Sequence, residues 1–299
     1  MANINDKTLQ ALNTQLNAKW TAAFEASVQD QASILATQYT STTASNFYAF
    51  LEALGGWSEW NGARQFKDVA SQQFEVKNID YEMSIKMPKN QIEDDQIGMY
   101  ADIVPTMVEG WFKKQASLIN TVLTTNPLAY DGVALFSAAG RTYGANTINN
   151  YTTSALAAGT FATARIAMMS YLDHSNEPLA VRPNVLVVGP KLEKTAFDIV
   201  SNYFGYDGTN AISVQNFYAT TGIRVIVSPY LVGTYDDYWF LADTSQVVKG
   251  VLLQIRDVPS PVLSNAQEVA RLKTVDYMAD GRMAAAAGAP HLIYGGYVA

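Results

Sequence analysis

The sequence predicts an α+β fold in which one long helix follows a strand-rich segment. From 91 to 125, apolar residues recur every three or four positions, which is the spacing of one helix face. Just before it, from Ile79 to Met87, apolar and polar residues alternate, which is the spacing of a strand. A third block, 150 to 235, alternates strand and helix patterns and so predicts a separate lobe.

The 299-residue chain is poor in charged residues and rich in apolar residues. Charged residues make up 16% and apolar residues 48%, and the charged fraction is well below the usual value of about a quarter. Two explanations stay open: an ordinary neutral surface, or a surface covered by partner subunits, because interface centres are depleted of charge. The net charge of −7 argues against a protein that coats nucleic acid.

Three further features argue against other classes of protein. The chain contains no cysteine, which excludes a disulfide framework and a thiolate metal site and fits assembly in a reducing compartment. Its first ten residues lack the basic and then apolar pattern of a signal peptide. No apolar run approaches the roughly 18 residues that a membrane span needs, so we expect no membrane partner.

The first third of the chain predicts a helix, a bend and a strand pair. Residues 5 to 36 predict a helix that packs on its own domain or lies as an arm on a neighbour. Residues 38 to 46 are small and polar and predict a bend. The next segment predicts a hairpin whose strands run from Ala63 to Val76 and from Ile79 to Met87. Because an isolated two-stranded ribbon is marginally stable in water, we expect it to lie on a neighbouring subunit.

Aromatic residues concentrate in and around this predicted hairpin. Trp, Tyr and Arg dominate protein interfaces, although packing in the chain's own core is the simpler explanation for any one of them. The candidate inter-subunit contacts are Trp57, Trp60, Arg64, Phe66, Phe74, Val76, Ile79 and Tyr81.

The long helix is predicted to begin at Pro105, after a lead-in that ends near Ile103. Proline suits the first turn of a helix, because its missing N–H has no helical partner there. The acidic run Glu93-Asp94-Asp95 lies at the start of the segment, where carboxylates complement the helix dipole. At 1.5 Å per residue the helix spans roughly 30 Å, which is more typical of a structural strut than of a catalytic scaffold.

The remaining chain predicts loops, helices and strands in alternation. Residues 137 to 155 predict a loop, and Thr160 is predicted to cap a helix that ends at about Leu172. The apolar side of this helix is predicted to contain Phe161, Ile166, Met169 and Leu172. Further strands are predicted at 184 to 188, 222 to 227, 238 to 242, 247 to 258, 268 to 278 and 282 to 287, and a helix at 191 to 203. Pro259 and Pro261 predict a break between strands, and Asp280-Gly281 predicts a turn.

Residues with catalytic or metal-binding chemistry are few and scattered. The two histidines, His174 and His291, are far apart in sequence and neither stands in a ligand spacing. The chain has no G-x-S-x-G nucleophile motif, and the run from Val188 to Lys191 lacks the second glycine of a phosphate loop. The acids at 93 to 95 have a sufficient structural explanation in the helix dipole. We therefore expect no catalytic residue, no cofactor and no bound metal.

Short runs between about 45 and 140 resemble one protein family. They are Tyr48 to Leu51, Glu59 to Arg64, Val76 to Asn78, Tyr81-Glu82, Ile92 to Asp95, Gly98-x-Tyr100, Tyr130 to Gly132 and Phe136-Ser137. In this order and spacing they are similar to the major head subunit family of Mu-like tailed phages. That family commonly has a histidine soon after the Phe-Ser pair, where this chain has Gly140-Arg141, so any role of that histidine is not carried over.

The resemblance implies a Hong Kong 97-like capsid fold. It implies an N-terminal arm at 1–60, an extended hairpin loop at 61–90, a peripheral domain with the spine helix at 91–149, an axial domain at 150–235 and C-terminal peripheral strands at 236–299. The implied function is that of a major capsid protein, a virion component that self-assembles in the host cytoplasm into the icosahedral head of a tailed phage.

The implied partners are other copies of the chain, as pentamers and hexamers, together with scaffold, protease and portal proteins. The head would enclose double-stranded DNA without binding it specifically, because an acidic wall repels DNA. A chain that lacks Gln65 to Met87 is expected to fold but to form no shells.

Two other functions stay open. A bacterial nanocompartment shell shares the fold but encloses a cargo enzyme instead of DNA. A soluble hydrolase would use His174 or the acidic cluster and would lose turnover in His174→Ala. Some relatives of the fold crosslink their subunits; Lys67 and Lys77 lie in the predicted hairpin, but solvated edge charges explain them more simply.

Overall fold

The computed structural model shows helices and strands grouped around two sheets. The described residues are 6–27, 31–49, 73–93, 100, 102–143, 145–173, 176–201, 204–205 and 214–297. The helices are α1 (Asp6–Ala26), α2 (Gln31–Leu35), α3 (Lys89–Glu93), α4 (Val104–Thr125), α5 (Ala158–Met169), α6 (Glu193–Val200) and α7 (Ala266–Leu272). The strands are β1 (Ala36–Thr40), β2 (Ser45–Ala49), β3 (Gln73–Lys77), β4 (Ile79–Pro88), β5 (Arg141–Tyr143), β6 (Asn146–Ile148), β7 (Tyr151–Thr152), β8 (Val185–Val188), β9 (Phe204–Gly205), β10 (Val214–Gln215), β11 (Arg224–Val227), β12 (Trp239–Ala242), β13 (Val251–Leu263), β14 (Thr274–Ala287) and β15 (Ile293–Gly296).

Helix α4 is the long helix that the sequence predicts. Pro105 lies in its first turn, and Asn126 follows its last turn in the left-handed conformation, with φ of 50°. Its 22 residues give a length of about 33 Å at 1.5 Å per residue. Ile119 and Leu123 are fully buried in one apolar cluster with residues of β8, β12 and β13. The helix therefore packs on both large sheets.

Strands β1, β13, β14 and β4 form a four-stranded sheet in that order. The two long central strands, β13 and β14, are antiparallel, and β1 pairs with β13 in parallel. One face packs on α1 and α4 through a cluster that includes Leu16, Met107 and Tyr277. The helix predicted over 5 to 36 is therefore divided: α1 ends at Ala26, and the short α2 leads directly into β1.

A five-stranded sheet, in the order β11, β8, β12, β15 and β7, forms the second layer of the core. Strand β8 is buried on both faces, as a short continuous apolar run predicts. Val185 and Val187 belong to the cluster that contains α4, whereas Leu186 and Val188 belong to the cluster around α5 and α6. Because β12 and β15 follow residue 235, this sheet extends beyond the segment 150 to 235.

The segment 268 to 278 is not one strand. Its first part belongs to α7, because Asn265 caps that helix: the Asn265 side chain accepts a hydrogen bond from the Glu268 N–H at 2.9 Å. Lys273 then ends the helix in the left-handed conformation, with φ of 53°. Strand β14 begins directly after it.

The predicted turn at Asp280-Gly281 and the predicted break at the two prolines are both wrong. Strand β14 runs through Asp280 and Gly281 without interruption. Pro259 and Pro261 lie inside β13, whose register to β14 shifts between Asp257 and Ser260. A proline lacks the N–H of a ladder bond, so here it produces a bulge and the strand continues.

Two segments predicted as irregular contain strands. Gln38 to Thr40, in the predicted bend, complete β1 because they pair with β13. The predicted loop from 137 to 155 contains the β5–β6 hairpin and β7, which pairs with β15. These strands are short, and the partners of β1 and β7 lie far along the chain, where the local pattern does not show them.

Candidate assembly interface

Strands β2 and β3 form an antiparallel ribbon, which we call the ribbon. Ser45 pairs with Lys77 at its base, and Ala49 pairs with Gln73 in the last described row. Residues 50–72, which we call the tip, lie outside the described residues. Among the described strands, β2 and β3 pair only with each other.

The strand pairing predicted for the hairpin is wrong in its described part. Strand β3 pairs with β2, and β4 pairs with β14 along its whole length. The reason is geometric: only Asn78 separates β3 from β4, and a hairpin between them would need at least two loop residues. The alternating pattern of β4 reflects its place at the edge of the four-stranded sheet.

The base of the ribbon is fixed to this sheet by the buried side chain of Gln254, on β13. The Tyr48 hydroxyl donates a hydrogen bond to Gln254 Oε1 at 2.7 Å. Gln254 Nε2 donates to the Val76 carbonyl oxygen at 3.3 Å and to Asn78 Oδ1 at 2.7 Å. Asn78 Nδ2 in turn donates to Ser41 Oγ at 3.2 Å. One amide side chain thus contacts both strands of the ribbon.

Half of the candidate contact residues belong to the tip. Trp57, Trp60, Arg64 and Phe66 lie outside the described residues. Phe74 is partly buried on β3, where it pairs in register with Tyr48. Val76 is only 5% exposed, so its side chain is already enclosed within its own chain.

The other two candidates lie on the edge strand β4. Ile79 is 53% exposed and remains available to a partner. Tyr81 is partly buried, with Lys114 Nζ 4.8 Å from the centre of its ring. Burial raises the pKa of the Tyr81 hydroxyl, so this residue presents a neutral aromatic surface.

An apolar groove opens between α4 and the β4 edge of the sheet, and we call it the Trp111 groove. It encloses about 330 Å³ and is lined by Trp20, Tyr81, Glu82, Met83, Met107, Gly110, Trp111, Lys114, Pro259, Ala279 and Gly281. Two glycines make room for it. A Cβ on Gly281 would lie 2.7 Å from the Trp111 ring, and one on Gly110 would lie 3.3 Å from Met83 Sδ.

A second cavity, of about 290 Å³, lies on the other side of Trp111. It is bounded by the end of α1, by α2, by α4 and by β13, with Phe24, Phe112 and Ile255 among its lining residues. Open space therefore lies on both sides of Trp111, where α4 packs on the four-stranded sheet.

The outer face of the five-stranded layer carries exposed apolar side chains that sequence reasoning did not identify. Ile166 and Met169 were predicted on the apolar side of α5, but they are 65% and 45% exposed. The helix instead packs with Phe161, Ala164 and Met168. Because α5 is rich in alanine and its other apolar residues are spread around the helix, its pattern does not show which side faces the sheet.

Arg141 is buried close to the place where the resembled family has its histidine. Its Nε lies 2.6 Å from Asp131 Oδ2. Its Nη1 donates to the Leu135 carbonyl oxygen at 2.9 Å, and its Nη2 donates to the Val133 and Ala134 carbonyl oxygens at 3.0 and 2.5 Å. The residue holds the loop after α4 in place, which is a structural role.

No catalytic arrangement is visible in the part of the chain that the structure describes. There, no three His, Asp or Glu side chains come close enough to hold a metal ion. Burial and, to a smaller extent, the charge of Arg141 lower the pKa of His291 to about 4, so this imidazole is neutral and enclosed at pH 7. His174 and Asp94-Asp95 lie outside the described residues. None of the described helices has the length and apolar character needed to cross a membrane.

Two protein-family models match the chain. One, described as the Mu-like prophage major head subunit gpT, matches residues 9–155. The other, described as phage capsid protein, matches residues 85–291, which is more than half of the chain. The chain belongs to the phage capsid protein family.

Two curated relatives are head proteins of Mu-like phages. The Mu-like prophage FluMu major head subunit of Haemophilus influenzae is 28% identical over 138 residues, which cover 46% of this chain and 44% of the relative. The major capsid protein of Escherichia phage Mu is 28% identical over 127 residues, which cover 40% of this chain and 41% of the relative. The match thus spans less than half the length of either relative. The predicted resemblance to Mu-like head subunits is confirmed.

A solved capsid structure matches almost the whole chain of this family member. The procapsid of bacteriophage JBD30 aligns with a TM-score of 0.58 and 21% identity, and the alignment covers 98% of this chain and 75% of the other. At this level of identity the likeness concerns the fold alone. The predicted α+β, Hong Kong 97-like capsid fold is confirmed.

Proposed function

We propose that this chain is the major capsid protein of a tailed double-stranded DNA phage and that it self-assembles into the icosahedral head. The observation that carries the proposal is the match to the phage capsid protein family over residues 85–291. The role is structural, and the protein catalyses no reaction. It is a virion component that assembles in the host cytoplasm.

The contact that we propose between neighbouring copies joins the tip of one copy to the Trp111 groove of the next. The tip carries Trp57, Trp60 and Phe66, and burial of large aromatic side chains dominates the energy of most protein interfaces. The groove is apolar, has room for such a side chain and lies beside the exposed Ile79. Arg64 supplies a charged group at the rim of the contact.

Each subunit combines several modest contacts of this kind. Once a ring of subunits closes, the last contact forms within one assembly, so its effective concentration is high and assembly becomes cooperative. We assign the four-stranded sheet with α4 to the peripheral domain and the five-stranded layer to the axial domain of pentamers and hexamers. Scaffold, protease and portal proteins are the further partners that head assembly requires. The net charge of −7 suits a wall that encloses DNA without binding it.

Negative-stain microscopy of particles from cells that produce the protein tests this function. We expect closed icosahedral shells, and nuclease-treated shells should contain protected double-stranded DNA. Shells that instead contain one abundant cargo protein would show a nanocompartment. A small oligomer with enzymatic turnover would show that the chain is not a shell protein. Monomer bands after boiling in denaturant would exclude covalent crosslinks.

A further inference from the structure

The two connections between the ribbon and the four-stranded sheet leave the sheet at the same row of paired residues. Strand β1 ends at Thr40, which pairs with Ile255, and Ile255 pairs with Met283 on β14. Strand β4 begins at Ile79, which pairs with the same Met283. Since β1 and β4 are opposite edges of the sheet, the two strands of the ribbon come from opposite edges and meet over its centre.

Main-chain pairing with the sheet does not set the direction of the described part of the ribbon. In that part, β2 and β3 pair only with each other, and the bond from the Asn78 N–H to the Ala44 carbonyl oxygen, at 3.1 Å, closes the base of the ribbon. The angle between the ribbon and the sheet is therefore left to the short connections, which include Asn78 and the bond from the Ser41 N–H to the Ile255 carbonyl oxygen, and to side chains.

Gln254 stands at the point where the two strands of the ribbon meet. Leu253 packs in the cluster around α4, and successive side chains of a strand point to opposite faces. Gln254 therefore faces away from α4, toward the base of the ribbon, where it is 1% exposed. Tyr39, its partner in register on β1, packs against Tyr48 of the ribbon with the two ring centres 5.2 Å apart.

The bonds of Gln254 satisfy its whole amide group. Both N–H groups donate, one to Val76 of β3 and one to Asn78, while the oxygen accepts from Tyr48 of β2. A buried polar network that is fully satisfied makes one arrangement much more favourable than its alternatives. An apolar residue at this position would pack the ribbon equally well at several angles.

We propose that Gln254 is a positioning residue that holds the ribbon in one direction, so that the tip of each copy meets the next copy at a defined angle. The curvature and size of the shell then depend on this one amide. The proposal rests on the proposed function for its effect on shells, whereas its effect on the ribbon is measurable within single subunits.

The test uses Gln254→Met, which keeps the length and flexibility of the side chain but removes its amide. The natural chain has no cysteine, so Glu75→Cys on β3 and Thr121→Cys on α4 introduce two unique sites for spin labels. Labelled chain is diluted into unlabelled chain, and pulsed electron paramagnetic resonance measures the distance within one subunit. We expect one narrow distance distribution when Gln254 is present and a broad one in the Gln254→Met variant, together with the loss of regular shells in electron micrographs.

Ser228→Ala is the matched control. It removes a buried hydrogen bond of 2.7 Å from Ser228 Oγ to Asn120 Oδ1, on the side of α4 that packs against the five-stranded layer. If Gln254 merely adds stability, both variants will lower the melting temperature and behave alike in the other measurements. A positioning role predicts that Ser228→Ala keeps the narrow distribution and the regular shells.

Each result decides the matter. An unchanged distance distribution in Gln254→Met overturns the proposal, and so does a broad distribution with regular shells. If Gln254→Met does not fold, Tyr48→Phe serves instead, because it removes one of the three hydrogen bonds of Gln254 and keeps the contact between the rings at positions 39 and 48. This variant should broaden the distance distribution to a smaller extent. If the unmodified chain forms no shells, the proposed function is wrong, while the distance measurement still decides whether Gln254 positions the ribbon.

Discussion

The packing of the Trp111 ring requires a glycine at position 281. A Cβ on Gly281 would lie 2.7 Å from the Trp111 ring and 2.9 Å from the Asp257 carbonyl oxygen. Gly281→Ala should therefore displace the ring or the strand and lower the free energy of unfolding by about 1–3 kcal/mol, as overpacked cores do. Denaturant titration measures the loss. The matched control is Gly159→Ala in α5, where an added Cβ meets nothing within 4 Å; it should raise stability by about 0.5–1 kcal/mol. Equal stability of Gly281→Ala and the unmodified chain would show that the contact is not tight.

Arg141 offers a second test, because its guanidinium is buried and bonded on every side. Arg141→Met should remove the ionic partner of Asp131 and one hydrogen-bond donor from each carbonyl oxygen of residues 133 to 135. Breaking a buried ion pair by removing one partner costs about 3–5 kcal/mol, and chemical denaturation should show a loss of that size. Arg282→Met is the control, since its ion pair with Asp80 is largely exposed and is worth less than about 1 kcal/mol. Losses of similar size in both variants would contradict the structural role of Arg141.

His291 should make the stability of the fold depend on pH. In the folded chain, burial and the charge of Arg141 lower the pKa of the His291 imidazole to about 4, against an ordinary value of 6.5. The unfolded chain therefore binds a proton first as the pH falls. Stability is full above about pH 6.5 and falls between 6.5 and 4, by about 3 kcal/mol for a shift of this size. In His291→Gln this part of the pH dependence should disappear, as urea titrations at several pH values would show. If the free energy of unfolding changes equally with pH in both proteins, His291 titrates normally in the folded chain.

Sequence reasoning found the apolar residues of the core more readily than its polar contacts. The spacing of Val108, Ile119 and Val122 predicts a buried helix face, and all three are buried. Nothing local distinguishes Gln254 from a surface residue, because its partners lie elsewhere in the chain; Tyr48 is 206 positions from Gln254. The contacts that we propose for Trp57 and Trp60 would involve a second copy, so the pattern of one chain does not reveal them.

At the scale of elements, the sequence predicts whether a segment is a helix or a strand more readily than it predicts which strands pair. Helix α4 was predicted almost to the residue, because a long periodic segment with Pro105 in its first turn carries both signals locally. Strand β4 was recognised from its alternation, but its partner is β14, nearly 200 positions further along the chain. Asp280-Gly281 is a turn signal in isolation, yet the space required by Trp111 explains the glycine within an unbroken strand.

These pairings change the design of the deletion that tests assembly. Removing Gln65 to Met87 would take most of β4 out of the four-stranded sheet, together with the buried Met87, and would unfold the subunit. The sharper variant replaces only residues 50–72 by Asn-Gly, which closes β2 and β3 with a two-residue turn. We expect a folded subunit with the melting temperature of the unmodified chain and no closed shells by light scattering and microscopy.

A second replacement separates the length of the tip from its contacts. Here residues 50–72 become a Gly/Ser linker of equal length, which keeps the reach of the segment but removes Trp57, Trp60 and Phe66. This chain should also fail to form shells. Normal shells from the Gly/Ser variant would show that the aromatic side chains of the tip make no essential contact.

At the scale of the whole molecule, the proposed contact between copies uses surfaces that differ largely from those that bury the core of the subunit. The two sheets and α4 bury the core within one chain, whereas the described part of the ribbon and the exposed Ile79 lie outside the core clusters; the Trp111 groove opens at the edge of the core, beside its buried Trp20 and Met107. Variants should therefore exist that leave the subunit as stable as before and still abolish assembly. Gly110 is well placed for such a variant, because it lines the groove from an internal turn of α4.

Gly110→Leu should separate the two processes. An added side chain meets first the flexible Met83 Sδ, at 3.3 Å for the Cβ, and replacing a helical glycine by a good helix former gains about 1 kcal/mol. The subunit should therefore melt at the same or a higher temperature, while the leucine occupies the space that we assign to a neighbour's aromatic side chain. Light scattering against subunit concentration should show assembly beginning at a higher concentration or not at all. Gly159→Leu, on a helix far from the groove in sequence, controls for the added apolar surface and should assemble normally. Unchanged assembly of Gly110→Leu would remove the Trp111 groove from the interface between copies.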